Sequence, residues 1–384
     1  MNTTYSKRAL AALMLAHCAG MIDMVALPVW IGALVAQYRF NPQQAGLLVS
    51  LFLGGAVLAS AIVAPRFDPR TSRLRATLGF SLSAILFMLA AQTDSLLLLA
   101  LLHAACGITT GLSLSVTHGT IARGVNPHRG FALVGMALGV FAIVFLGGSP
   151  VIIASHGGAA LFYIFGGVMA LGAVACALAF PLAETDGILP RSGPRAPMPR
   201  VVWLGIAGIA CMGLVQSMIF SFLERVGMDR GFGHAALSGV LIALGFVNLL
   251  PAPLAALLEK RLPARSVLMF GPLVQAMLAA LMMSSTRFAP YAVAASVFAA
   301  VMIFTHTFAF GLMARLDRSG RALAATPAML MTGAAIGPIL GGTLVQGWGY
   351  ACLGSVAIAL GLTASFCFSR LPRGAAVQSQ EALA

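Results

Sequence analysis

ALAALMLAHCAGMIDMVALPVWIGALV, from Ala9 to Val35, is an apolar run with a single carboxylate, Asp23, near its middle. A helix needs roughly 20 apolar residues to cross the hydrocarbon core of a bilayer, and this run is long enough. Asp23 then falls close to mid-membrane, where a charged Asp costs at least ~2.5 kcal/mol on insertion scales. A residue that expensive implies a polar cavity, a partner or a proton. Lys7 and Arg8 ahead of the run imitate a secretory signal. The run's length, its Asp and the lack of a small-residue cleavage site predict an uncleaved first helix instead.

Working outward, the 384 residues are 60% hydrophobic and 9% charged, against about 25% charged in an average soluble domain. This composition predicts an all-α polytopic membrane protein. Apolar segments separated by polar breaks place helices at 9–36, 43–64, 76–93, 95–119, 130–154, 157–181, 201–223, 235–258, 266–285, 289–313, 322–346 and 349–369. The breaks carry the expected punctuation, among them Asn41-Pro42, Asn126-Pro127 and His156-Gly157-Gly158. Leu182 to Arg200 holds four Pro and reads as a linker. The expected organisation is an N-terminal six-helix bundle (1–181), a cytoplasmic linker (182–200), a C-terminal six-helix bundle (201–370) and a cytoplasmic tail (371–384). Six Cys all lie in apolar spans, so no disulfide framework is expected.

The net charge of +13 is a topology signal. With the N-terminus inside, nineteen Lys and Arg fall on the cytoplasmic side and four (Arg39, Arg225, Arg230, Arg287) outside, following the positive-inside rule. A bacterial inner membrane with both termini cytoplasmic is the expected setting. No basic, aromatic-interleaved soluble face suggests nucleic acid. The halves also resemble each other. IARGVNPHRGFALVGMALGVFAIVFLGG (Ile121 to Gly148) aligns with MARLDRSGRALAATPAMLMTGAAIGPILGG (Met313 to Gly342), matching Arg123 to Arg315 and Arg129 to Arg321. Parallel six-helix repeats are a transporter arrangement.

Twelve spans in a six-plus-six repeat, a central linker and charged loops after the second and eighth helices together resemble the major facilitator superfamily over essentially the whole chain. In APRFDPRTSRLR (from Ala64) the family's loop signature is partly kept: Asp68, Arg70 and Arg73 are present, Ala64 takes the first Gly place and the second Gly is missing. The resemblance implies that Asp68 with its Arg neighbours, and Glu259 from the second half, latch the two halves. Glu224, beside Arg225 at the outer end of the seventh helix, reads as a solvated rim pair or a gate. The family's antiporter signature, GxxxGPxxGG, belongs in the fifth helix. There Gly139, Gly147 and Gly148 are kept, but Ile143 and Val144 replace Gly-Pro. The intact pattern, Gly333, Gly337, Pro338, Gly341 and Gly342, stands in the eleventh helix. Small residues at this spacing let helices pack closely.

The resemblance further implies that helices 1, 4, 7 and 10 line a central cavity. Proton-coupling candidates are Asp23 and His306. Cavity candidates are His103, Thr109, Thr110, Gln216, Asn248, Gln275 and Thr305, with Gln216, Asn248 and Gln275 equally readable as interhelical hydrogen bonds. His17 and His118, nearer the cytoplasmic ends, read as interfacial. Every Arg and Lys is assigned to a loop or helix end, which argues against strongly anionic solutes. A neutral, zwitterionic or cationic small molecule, or a monoanion carried with a proton, fits better. Asp23 makes the proton the natural coupling ion. Rocking of the halves about a midplane site gives alternating access.

Short loops and a helix-1 carboxylate resemble small drug exporters, whereas the missing Gly-Pro leaves symport uptake open. His17 and Met21 at i, i+4, beside Asp23 and Met24, raise transition-metal import as a third reading. HExxH, GxSxG, a Walker loop and paired intramembrane carboxylates are all missing from the sequence, so neither an enzyme nor direct ATP drive is expected. No cofactor is expected. The expected partners are a small-molecule substrate, protons and the lipid bilayer, around a monomer.

Overall fold

The structure is a computed structural model that describes residues 5–124, 127–181, 200–316 and 321–372, without the side chains of 65, 127, 128, 314, 315 and 321–329. Linker residues 182–199, and the tail from 373 onward, therefore lie outside the described residues. Among those described there is no β-strand, and twelve helical spans are long and apolar enough to cross a membrane. The chain divides into two compact units, Met1–Ser192 and Gly193–Ala384, and each carries six of the spans.

In the first unit span 1 is split into α1 (Lys7–Gly20) and α2 (Ile22–Ala36), followed by α3 (Pro42–Val63). Two short 3-10 turns then lead into α4 (Ser72–Ala90), α5 (Leu96–Ala122), α6 (Pro127–His156) and α7 (Ala159–Ala179). Local chemistry sets several boundaries. Ser6 caps α1 through Ala9 N–H, and Asn41 and Gln44 form a capping box at α3 with Pro42 at its first position. Inside a bilayer, helix association relies on close packing because lipid tails are as apolar as the side chains. Helices α3 and α5 achieve it with small residues: a Cβ on Gly107 would press on the Phe52 carbonyl, and one on Gly111 on the Ala56 backbone. Trp30, Phe52, Phe87, Phe162 and Phe165 form a fully buried aromatic cluster behind α2.

In the second unit span 7 is split into α8 (Arg200–Ser221) and α9 (Leu223–Asp229), and span 8 into α10 (His234–Val247) and α11 (Pro251–Leu258). They are followed by α12 (Ala264–Ser284), α13 (Phe288–Leu316), α14 (Arg321–Trp348) and α15 (Tyr350–Ser369). The most extensive contact is between α8 and α14. Cβ atoms on Gly333, Gly337 and Gly341 would meet the Ala210 carbonyl, Ser217 with Met218, and Phe222 with Met218, so one small ridge lets α14 lie against the α8 backbone. The fifth span differs. It is the most exposed of the twelve, and a Cβ on Gly148 would meet nothing within 4 Å. Gly139 and Gly147 are half-buried on the same helix.

Leu78, Leu97, Leu178, Leu257 and Phe270 are all more than half exposed on their spans, a surface suited to lipid and costly in water.

Candidate functional site

Span 1 is broken at Met21, whose φ of −106° and ψ of 20° leave the α-helical basin. One cause is visible beside it. A Cβ on Gly20 would collide with the Leu114 side chain of α5, so the chain needs glycine, a weak helix former, immediately before the break. Pro28, inside α2, removes a further helical donor opposite the Met24 carbonyl. Asp23 is thereby placed in the first turn of α2, where Asp is favoured. It is 2% exposed, and its Oδ1 has no hydrogen-bond partner. Buried polar atoms are almost always paired, so this oxygen is an exception that calls for a cause.

His103 lies in the aromatic cluster, 1% exposed. Its Nδ1 is 2.7 Å from the Leu99 carbonyl, which fixes Nδ1 as the donor and leaves the lone pair on Nε2. Nε2 is buried without a partner, as is Trp30 Nε1, and the two rings stand 5.5 Å apart. His17 and His118 are brought together: His17 Nδ1 is 3.0 Å from His118 Nε2, tying α1 to α5. Such a bond requires one ring to keep an unprotonated nitrogen.

Several expected cavity residues are engaged elsewhere. Thr109 and Thr110 both bond Ser83 of α4, at 2.6 and 3.0 Å, and Thr110 is 1% exposed. Through these bonds they join two helices. Gln275 Nε2 donates to Gln216 Oε1 at 3.1 Å, linking α12 to α8. Thr305 is buried, donates to Val301 and packs where a Cβ on Gly271 would sit. His306 is half-buried, with Nδ1 2.9 Å from the Met302 carbonyl and its ring against Phe310. Asn248 caps α10 with Oδ1 buried and unpaired, in the gap before Pro251. An open groove of about 430 Å³ between α10 and α13 is apolar apart from Ser296 and contains none of these residues.

The charged loop residues satisfy local backbone. Asp68 accepts from Arg70 N–H at 3.0 Å and from Thr71 Oγ1. Arg73 donates to the Ala177 carbonyl, and Arg66 to the Ile62 carbonyl. Glu259 is exposed at the end of α11.

Span 7 has a second break, at Phe222 (φ −106°, ψ 5°). No Pro or Gly adjoins it. The Leu223 carbonyl that follows accepts from Tyr291 Oη of α13 at 2.6 Å. The rim pair expected between Glu224 and Arg225 is corrected: Arg225 pairs with Asp229 at 2.5 Å, which also accepts from Tyr350, while Glu224 Oε2 is buried and unpaired. The i, i+4 spacing of Arg225 and Asp229 was a readable sign of that pair. No spacing announces His17 with His118, 101 residues apart.

Among the described residues no group of three or more His, Cys, Asp or Glu is placed to hold a metal ion. No curated protein matches the chain. The family model described as Major Facilitator Superfamily matches residues 12–316, most of the chain. With twelve apolar spans, six in each of two units, the chain belongs to the major facilitator superfamily of secondary membrane transporters.

Proposed function

We propose that the protein exports a small neutral, zwitterionic or cationic organic solute by alternating access, driven by inward proton movement, with Asp23 as the proton carrier. The observation that supports this reading is the Asp23 carboxyl, 2% exposed with Oδ1 unpaired, in a first helix broken two residues before it. A buried carboxyl oxygen without a fixed partner is accounted for by a group that comes and goes. A proton does so in every transport cycle. The solute class follows from the basic residues, which lie at loops and helix ends and in several cases donate to backbone carbonyls. The nineteen-to-four distribution of Lys and Arg supports cytoplasmic termini in a bacterial inner membrane. His306, with Nδ1 on its own helix, is not part of the proposal. Symport uptake is a second reading, favoured by Ile143 and Val144 where antiporters carry Gly-Pro and by the open surroundings of Gly148.

The test is a thermal-shift screen of small organic cations and zwitterions on the purified protein and on Asp23→Asn. Hits are then followed in inverted and right-side-out vesicles under an imposed pH gradient. Asp23→Asn is expected to insert and fold but to lose pH-dependent transport. Unchanged transport with an unchanged pH profile would reduce Asp23 to a structural residue. Accumulation only in right-side-out vesicles would replace export by uptake.

A further inference from the structure

The break-and-acid arrangement of span 1 recurs in span 7. Met21-Ile22-Asp23 and Phe222-Leu223-Glu224 are each a non-helical residue, an apolar residue and an acid, and in both acids one carboxyl oxygen is buried without a partner. The depths differ. Asp23 lies mid-span, whereas Glu224 is five residues before Asp229, the last residue of its span. We infer that Glu224 is a second proton-binding carboxyl, separate from Asp23 and nearer the loop end of its helix.

The groups around Glu224 carry the argument. On its own helix Arg225 lies within electrostatic range, but its guanidinium is bonded to Asp229, and Asp229 also holds Tyr350 from α15. Arg230, just beyond the helix, donates to the Met282 and Met283 carbonyls at the end of α12. Tyr291, from α13, is fully buried and donates to Leu223. Each neighbouring cation thus has another acceptor, and the one phenol beside the break has its donor engaged. An ionised carboxylate with an unpaired oxygen that has almost no accessible surface is strongly disfavoured there. The acid form needs no counter-charge. Glu224 as a whole is half-buried while Oε2 is closed off.

The inference extends the proton-coupled reading of Asp23, and the experiment separates the two. Infrared difference spectra of the full chain in lipid nanodiscs, titrated from acid to alkaline pH, report protonated carboxyls through their C=O stretch. The wild type is expected to lose two buried-acid bands. Glu224→Gln should remove one of them, Asp23→Asn the other, and Glu224→Asp should restore a band at shifted frequency. A wild-type spectrum unchanged by Glu224→Gln would overturn the inference while leaving Asp23 standing. An unchanged Asp23→Asn spectrum would instead strike the earlier reading alone.

Discussion

Gly337→Ala is the sharpest test of how the second unit is held together. A Cβ at this position would overlap Ser217 Oγ and stand 2.7 Å from the Met218 amide nitrogen and 2.9 Å from Ser217 Cβ. The Ser217 hydroxyl can turn, but the Met218 nitrogen is backbone, so α14 has to move away from α8. Overpacking of this kind costs about 1–3 kcal/mol. Replacing Gly by Ala inside a helix returns up to about 1 kcal/mol, leaving a net loss of about 0–2 kcal/mol where that gain is full. For a body of about 200 residues that lowers the melting midpoint by roughly 2–4 °C per kcal/mol. Gly148→Ala is the matched control: a Cβ there meets nothing within 4 Å, so only the helix-propensity gain remains. The assay is thermal unfolding of both variants in one detergent at one scan rate, because such melts are scan-rate dependent when irreversible. Equal midpoints, or a larger loss for Gly148→Ala, would refute the packing argument.

Other expectations follow from the same geometry. Gln275→Leu and Gln216→Leu, singly and together, should give a double-mutant coupling near ~0.6 kcal/mol and not above about 1.7, read from unfolding midpoints; zero coupling would mean that the 3.1 Å bond contributes nothing. Tyr38, in the loop after span 1, is pushed up from 10.0 to about 12 by burial, then by Asp94 and Tyr163. The folded phenol holds its proton more tightly than the unfolded one, so its stabilising contribution is complete below pH 10 and is lost as pH rises through about 12. Tyr38→Phe should remove that alkaline slope and one late-titrating phenol from the ultraviolet tyrosinate titration. A Tyr38 that ionises at 10.0 would contradict it.

The spans were legible because their length and apolarity are dictated by the bilayer, and span ends agree with the sequence reading to within a few residues for most helices. Span 7 is the clear exception, continuing to Asp229 across a break that hydropathy does not register. What the sequence withheld is rotation. A soluble helix shows its buried stripe as a 3.6-residue period, but a span that is apolar all round gives no phase, so nothing marked Thr109 and Thr110 as facing Ser83. The breaks were hidden for a similar reason. Met21 and Phe222 are ordinary helix residues, and their distortion is accompanied by neighbours far along the chain: Leu114 against Gly20, and Tyr291 on the Leu223 carbonyl.

The repeat visible in the sequence does not carry over into equal packing. The Gly-Gly pair ends both aligned segments, yet only the second-half copy retains Gly-Pro, and there Gly333, Gly337 and Gly341 form a small ridge against α8. With no hydrophobic driving force between helices in lipid, that ridge is what separates a tightly apposed pair from a looser one. Span 7 is therefore clamped along α8 by α14, and its break lies at the end of the clamp, where Phe222 meets Gly341. Span 1 is in contact with the fifth, sixth and fourth spans. It is held by the close approach of Gly172 of α7 to Ala19, by the His17–His118 bond before the break and by the ring cluster around Trp30 after it. Backbone-to-backbone contact resists bending more than side-chain contact does, because rotamers can adjust where main chain cannot. The same acid-after-break motif is thus set in two different packing surroundings.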